Sequence, residues 1–420
     1  MNQTEKTEYE KKFKYWRWRV LLGFGFLYLF MYTGRMNMGI ALPLLKKEFG
    51  WSSAGVGFIS SMIFWTYGFS HIIWGRVSDR YGGRVLCGLG AVLSTIVNWI
   101  VSFGTTIFSI AFPWGINGIV QAMVWSPGTG MVTRWWSKKD RGTAMGLALF
   151  FAGWATVVVW ILATNIAAPV WGWKGVFRFP VLLMGLMGIV SFFLVRDYPK
   201  DVGLKDYVEE DTEISEREEK EIATGIWPYI NCFKNWRLDV AFLSLGLVNF
   251  TRYAFLTWIP MYYMESAKYN ISKTGWVSVS LPVGMAIGPA LAGWISDKFF
   301  RSNRYQTISA YCIIAAAAAI VIGLTPPKYV TIGIVFLFLA GFFIYGAHGP
   351  TWALCQDLAG RKKAGTAAGL MDWVAYMFAA VNAVVIGSIL TLTGENWTIA
   401  FVLVAVISLI AAALAWSVKR

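Results

Sequence analysis

The sequence predicts an all-α membrane protein of twelve transmembrane helices in two pseudo-symmetric six-helix halves, and three observations carry that reading. Hydrophobic residues make up 57% of the 420 and charged residues only 14%, well below the roughly 25% of a soluble domain. Apolar runs of roughly 20 residues, each able to cross about 30 Å of hydrocarbon, recur along nearly the whole chain. A polar loop signature and several single residues of the first half return in the second at a near-constant offset. The first two observations exclude a large soluble enzyme, because too little polar surface remains to face water.

The apolar runs place spans 1 to 6 at 20–43, 54–76, 85–106, 108–133, 143–168 and 173–195. Spans 7 to 12 follow at 238–264, 274–296, 306–325, 329–356, 364–392 and 397–417. Span 1 follows a charged stretch, Met1 to Arg19, that lacks a signal-peptide pattern, so the first helix is expected to be retained. One long polar segment, 196–237, separates a half at 1–195 from a half at 238–420. Its acidic core, Glu209 to Glu221, favours a helix, and the segment reads as a cytoplasmic tether.

The net charge of +14 lies mostly in short loops on one side. These are Lys11 to Arg19, Arg76 to Arg84, Arg134 to Arg141, Lys298 to Arg304, Arg361 to Lys363, and Lys419 with Arg420. Lys and Arg set orientation in this way, so both termini are expected in the cytoplasm of a cell with the chain in its inner membrane. The charge thus speaks for a bilayer and against nucleic acid as partner. The 23 Trp and 29 Phe suit interfacial belts. Cys87, Cys232, Cys312 and Cys355 are scattered, with no disulfide or metal spacing. No nucleophile motif or nucleotide loop is present, and the glycine-rich pieces lie in apolar helices, where small residues allow close packing. No enzyme activity, cofactor or metal is expected.

The internal repeat sets the architecture. Span 2 ends in Gly75-Arg76-Val77-Ser78-Asp79-Arg80-Tyr81-Gly82-Gly83-Arg84, and span 8 ends in Gly293-Trp294-Ile295-Ser296-Asp297-Lys298, which puts Asp79 and Asp297 218 positions apart. Arg35 and Arg252, like Pro43 and Pro260, are 217 apart, and Pro127 and Pro350 are 223 apart. Parallel repeats of this kind place a site at their interface near the midplane. Asp79, Arg80, Arg84 and Asp297 read as gating residues, since a carboxylate here can meet a helix N-terminus or an arginine in one conformation and leave it in another.

Arg35 lies about 24 Å beyond Arg19 along a helix, too deep to reach the cytoplasmic surface, and Arg252 matches it in span 7. Ionisable groups at that depth are functional candidates. Two guanidiniums facing each other call for an anion, and their forked donors suit carboxylate or phosphate. The alternative pairs them with fixed acids, the nearest being Asp372 and Asp357. Tyr28 and Tyr32 share a helix face with Arg35. Tyr67 and His71 in span 2, Gln121 and Trp125 in span 4, Tyr253 in span 7, Tyr345 and His348 in span 10, and Asp372 and Tyr376 in span 11 surround the pair. From these the expected substrate site is Arg35, Arg252, Tyr28, Tyr32, Tyr67, His71, Gln121, Trp125, Tyr253, His348, Asp372 and Tyr376.

The Gly75 to Arg84 loop resembles the signature of the major facilitator superfamily. Within it, Tyr32-x-x-Arg35-x-Asn37 through Pro43, Arg252-Tyr253 with Trp258-x-Pro260, Gln121 to Pro127, Arg134-Trp135-Trp136-Ser137 and Ala364 to Gly369 resemble the organophosphate:phosphate antiporters over nearly the whole chain. That resemblance implies a transporter in which both arginines bind phosphate, and rocking of the halves exchanges an organophosphate for inorganic phosphate; a monomer suffices for this architecture and is expected. The sequence departs from the glycerol-phosphate members at His71, where they carry lysine, near Ala152 and Gly153, where they carry histidine, and at Asp372, where a small residue is usual. Phe64-Trp65-x-Tyr67-Gly68-Phe69 and Gly142 to Trp154 also resemble proton-coupled sugar-acid symporters. Gly34 and Gln121 stand where those carry acids, which argues against proton coupling by that route. A transporter-like sugar-phosphate sensor is the third reading.

Overall fold

The computed structural model describes residues 3–136, 138–205, 232–233, 235–300, 303–359 and 364–419. Most of the expected tether, including Glu209 to Glu221, lies outside them. The described residues form twelve crossings with no strand among them. Span 1 is broken into Gln3–Met31, a 3-10 turn Tyr32–Gly34, and Asn37–Phe49. Spans 2 to 4 are Ser53–Tyr81, Gly83–Val101 and Ile107–Trp135. Span 5 begins as Lys138–Leu162 and runs on through a π-turn, Ala163–Ala167; the chain then folds back at Trp171 and Gly172 (φ 59°), where only glycine is at ease. Span 6 continues to Leu194. Spans 7 to 12 are Trp236–Ser266, Ile271–Ser278 with Ser280–Phe300, Arg304–Leu324, Val330–Ala359, Ala364–Leu392 and Trp397–Ser417.

Nine stretches of the described residues are long and apolar enough to cross a membrane, and one of them, the 51-residue Ala144–Leu194, crosses twice because of the fold-back at Gly172. Spans 1 and 2 miss that threshold for a physical reason. Their inward faces carry Tyr28, Tyr32, Arg35, Ser60, Tyr67, Ser70 and His71, all buried. Large apolar side chains of the same spans face outward: Phe26, Phe58, Phe69 and Ile73 are exposed, a surface that suits lipid and not water. With an even number of crossings, the two chain ends lie on one side, called the terminus side below.

The halves repeat one packing scheme. Span 2 packs on span 4 as span 8 packs on span 10, and across the halves span 2 meets span 11 while span 5 meets span 8. Close approach of spans 8 and 10 depends on a G-x-x-x-G face. A Cβ on Gly284 or Gly288 would fall on the carbonyl oxygens of Phe338 and Phe342, and one on Gly341 would fall on that of Leu281. Gly288→Ala is therefore expected to cost about 1–3 kcal/mol, read as a lower thermal unfolding midpoint in detergent. Gly146→Ala, where an added Cβ meets nothing within 4 Å, should leave the midpoint unchanged or raise it.

Candidate functional site

The break in span 1 aims Arg35 inward. The 3-10 turn leaves helix carbonyls without intrahelical donors, and buried amides from spans 3 and 4 take their place. Asn117 Nδ2 donates to Gly34 O at 2.6 Å, Asn98 Nδ2 donates to the same oxygen at 3.3 Å, and Gln121 Nε2 donates to Met31 O at 3.1 Å. Gly34 is required because a Cβ would strike Gln121, Asn98 and Met184. The Gln121 amide nitrogen, also bonded to Ser94 Oγ at 2.9 Å, supports the back of the broken helix.

Arg35 and Arg252 are 3% and 7% exposed. Among the described residues neither has an acid within salt-bridge distance; Asp357, one of the two candidate partners, pairs with Arg304 at 3.2 Å instead. Aromatic faces surround them. The Arg35 guanidinium carbon lies 4.3 Å from the Tyr32 ring centroid, 4.9 Å from Tyr67 and 5.8 Å from Tyr28, and Arg35 Nη2 donates to the Tyr28 hydroxyl at 3.3 Å. Arg252 lies 4.0 Å from Tyr345 and 5.0 Å from Tyr253. Tyr32 feels both positive charges. Ring faces attract a cation but do not neutralise it, and Arg35 Nε and Nη1 and Arg252 Nε have no hydrogen-bond partner. The arrangement presents two charges and open N–H donors to whatever lies between them.

The other expected residues assemble around this pair. Tyr376 touches Tyr67, Tyr253 and His71 at centroid distances of 4.5, 6.2 and 6.1 Å. Trp125 packs on Tyr28 at 4.5 Å. Asp372, half-buried one turn from Tyr376, is near enough to act electrostatically on Arg35 and Tyr67. His348 sits beside Tyr345, with ring centroids 5.5 Å apart. Tyr345, outside the expected substrate set, has the ring nearest Arg252. Its spacing of three before His348 was the available signal.

The two ends of the cavity differ. On the far side the halves are pressed together: Cβ atoms on Gly39, Gly57 and Gly387 would meet backbone oxygens of Leu256, Ala383 and Ser53 from the opposite half. An ion cluster seals that seam. Lys46 Nζ of the first half lies 2.8 Å from Glu265 and 2.8 Å from Glu395 of the second, and Ser53 Oγ joins Lys46 and Glu395 at 2.8 Å each. Toward the terminus side, Gly349 and Gly369 share helix faces with Tyr345 and with Asp372 and Tyr376, and an added Cβ on either meets nothing within 4 Å. The halves are closed together at the far side, and toward the terminus side the described helices leave open space at Gly349 and Gly369.

Of the expected gating residues, the side chains of Asp79 and Asp297 lie outside the described residues. Arg84 is tied within its own half, its Nε donating to Phe192 O at 2.6 Å and its backbone N–H to Asp197 Oδ1 at 3.0 Å. Arg80 is exposed against the Tyr81 ring. The described contacts of both stay in the first half. Cys87, Cys232, Cys312 and Cys355 are all buried.

A family profile described as Major Facilitator Superfamily matches residues 24–383. The chain is 28% identical to a probable hexose phosphate transport protein of Chlamydia trachomatis, over 92% of this chain and 87% of that one. It is 30% identical to the glycerol-3-phosphate transporter of Bacillus subtilis, over 82% of this chain and 80% of that one. Its fold is similar to that of a bacterial homologue of the human lysosomal transporter Spinster in an inward-facing, unoccupied conformation. That likeness has a TM-score of 0.79 at 16% identity and covers 96% of this chain and 97% of that one.

Proposed function

Because the chain belongs to the Major Facilitator Superfamily, and within it to the organophosphate:phosphate antiporter family, we propose that this membrane transporter exchanges an organophosphate for inorganic phosphate by alternating access. The single observation that carries the reading is the arginine pair: two buried guanidiniums from matching positions of the two halves, with open donors and no ion pair among the described residues. A charge in a span is tolerated when it meets a counter-charge or lines a polar cavity. Here the counter-charge is the phosphate group, gripped by both forks. The relatives whose names specify hexose phosphate and glycerol-3-phosphate support this choice of anion.

The remaining residues then divide by role. Tyr28, Tyr32, Tyr67, Tyr253, Tyr345 and Tyr376 hold the guanidiniums in place and exclude water. Asp372 and His71, one turn nearer the terminus side, meet the organic part of the substrate. The halves at 1–195 and 238–420 rock about this point, with the terminus side in the cytoplasm of the inner membrane and the Lys46 cluster closing the outer face. Asp79, Arg80, Arg84 and Asp297 close the cytoplasmic seam in the opposite conformation. One chain contains both halves and the whole site, so a monomer suffices.

Purified protein in proteoliposomes loaded with unlabelled phosphate is expected to take up labelled phosphate by counterflow without a pH gradient. Competition by sugar phosphates and glycerol phosphate then ranks the organic part. Uptake that needs a pH gradient and ignores internal phosphate would instead make it a proton symporter, and anion binding without flux would make it a sensor.

A further inference from the structure

Each half places one histidine beside its arginine, and the two rings are held by opposite nitrogens. His71 Nδ1 lies 3.0 Å from Ser126 Oγ, and its Nε2 is buried without a partner. His348 Nε2 accepts the indole N–H of Trp352 at 2.9 Å, and its Nδ1 is buried without a partner. The holding groups differ in kind. A serine hydroxyl can donate or accept, so the His71 tautomer is free to follow whatever meets it. An indole N–H only donates, so His348 Nε2 must present its lone pair and the ring proton must sit on Nδ1. A doubly protonated ring would have no acceptor left for Trp352 and would lose the bond.

We propose that Trp352 is a positioning residue that fixes His348 as an uncharged Nδ1–H donor to the bound anion on the Arg252 side of the site. This rests on the anion-clamp reading above. His348 packs one turn from Tyr345, with ring centroids 5.5 Å apart, and the Tyr345 ring in turn covers Arg252 at 4.0 Å, which puts His348 on the Arg252 side of the site. The repeat shows that the donor is one-sided. Trp125 occupies the position 223 before His348, and it packs on Tyr28. The anion therefore meets an added donor from span 10 and an indole wall from span 4. Such asymmetry selects an anion with a spare acceptor oxygen after both arginine forks are filled, as a phosphate group has and a carboxylate lacks.

The test uses the full-length protein in proteoliposomes with inorganic phosphate as the probe, and phosphate-dependent thermal shift on the same preparations. Losing one hydrogen bond to a charged ligand is expected to raise KM and the apparent Kd about tenfold in both His348→Leu and Trp352→Phe, with kcat within about twofold. His348→Gln, whose amide can accept from Trp352 and donate to the anion, should restore affinity. Adding Trp352→Phe to that variant should remove it again. A purely structural Trp352 would lower kcat and the unfolding midpoint together while leaving KM in place, and that result overturns the proposal. So does a His348→Leu protein with wild-type KM and Kd while wild type exchanges phosphate. A wild type that neither binds nor exchanges phosphate overturns this inference together with the anion-clamp reading.

Discussion

Replacing Arg35 or Arg252 by lysine is expected to weaken phosphate binding by on the order of a hundredfold and to abolish measurable exchange. The charge survives the substitution but the fork does not. Each guanidinium offers a pair of parallel N–H donors, and each bond to a charged group contributes about 1.5–3 kcal/mol. A lysine ammonium on its flexible stem recovers one such bond at most, and it loses the ring contacts that hold the planar group: Tyr32, Tyr67 and Tyr28 around Arg35, Tyr345 and Tyr253 around Arg252. Because the two arginines grip one ligand, the double variant should be little worse than either single one. Phosphate-dependent thermal stabilisation measures the effect directly. Unchanged stabilisation in both single variants would sink the clamp, since no other pair of cations among the described residues converges at that depth.

Much of this was legible in the sequence because it depends on periodicity and repetition. Apolar runs located the crossings, and the repeat paired Arg35 with Arg252 before any contact was known. The fold-back at Gly172 lies inside the gap expected between spans 5 and 6. What the sequence hid is what depends on helix rotation and long-range contact. Gln121 lies at the right depth in span 4, but only the packing of spans 1, 3 and 4 shows that its amide turns to Met31 O and Ser94. The 3-10 turn at Tyr32–Gly34 is unreadable locally, because its stability comes from Asn98 and Asn117, 64 and 83 residues away. Lys46, Glu265 and Glu395 looked like ordinary loop charges. Their meeting across 219 to 349 positions follows from tertiary structure alone. The sequence places Tyr345 in span 10 beside His348, but only the packing of spans 7 and 10 puts its ring 4.0 Å from the Arg252 guanidinium.

That far-side cluster sets the second large effect. Lys46→Gln is expected to open the far side of the cavity, read as an increase of about thirtyfold in the labelling rate of Thr257→Cys by a membrane-impermeant thiol reagent. Thr257 is 4% exposed and lines the narrow void beyond Arg35 together with Met38, Gly39 and Ser60, so its accessibility reports separation of the halves at that seam. The native cysteines are buried, which keeps background labelling low. Lys46 bridges two carboxylates with side chains 17% (Lys46), 27% (Glu265) and 34% (Glu395) exposed. An exposed ion pair is worth under about 1 kcal/mol, and breaking a fully buried one costs about 3–5 kcal/mol. Partial burial puts this one near 2 kcal/mol, and the loss falls only on the closed arrangement, where Glu265 and Glu395 are left facing each other. A shift in a two-state equilibrium equals that difference between the states. Neutralising both acids as well, with Glu265→Gln and Glu395→Gln on the Lys46→Gln background, removes the repulsion and should restore much of the protection. Far-side labelling that stays at the wild-type rate in Lys46→Gln would mean that backbone contacts such as Gly39 on Leu256 and Gly57 on Ala383 hold the seam without the ions.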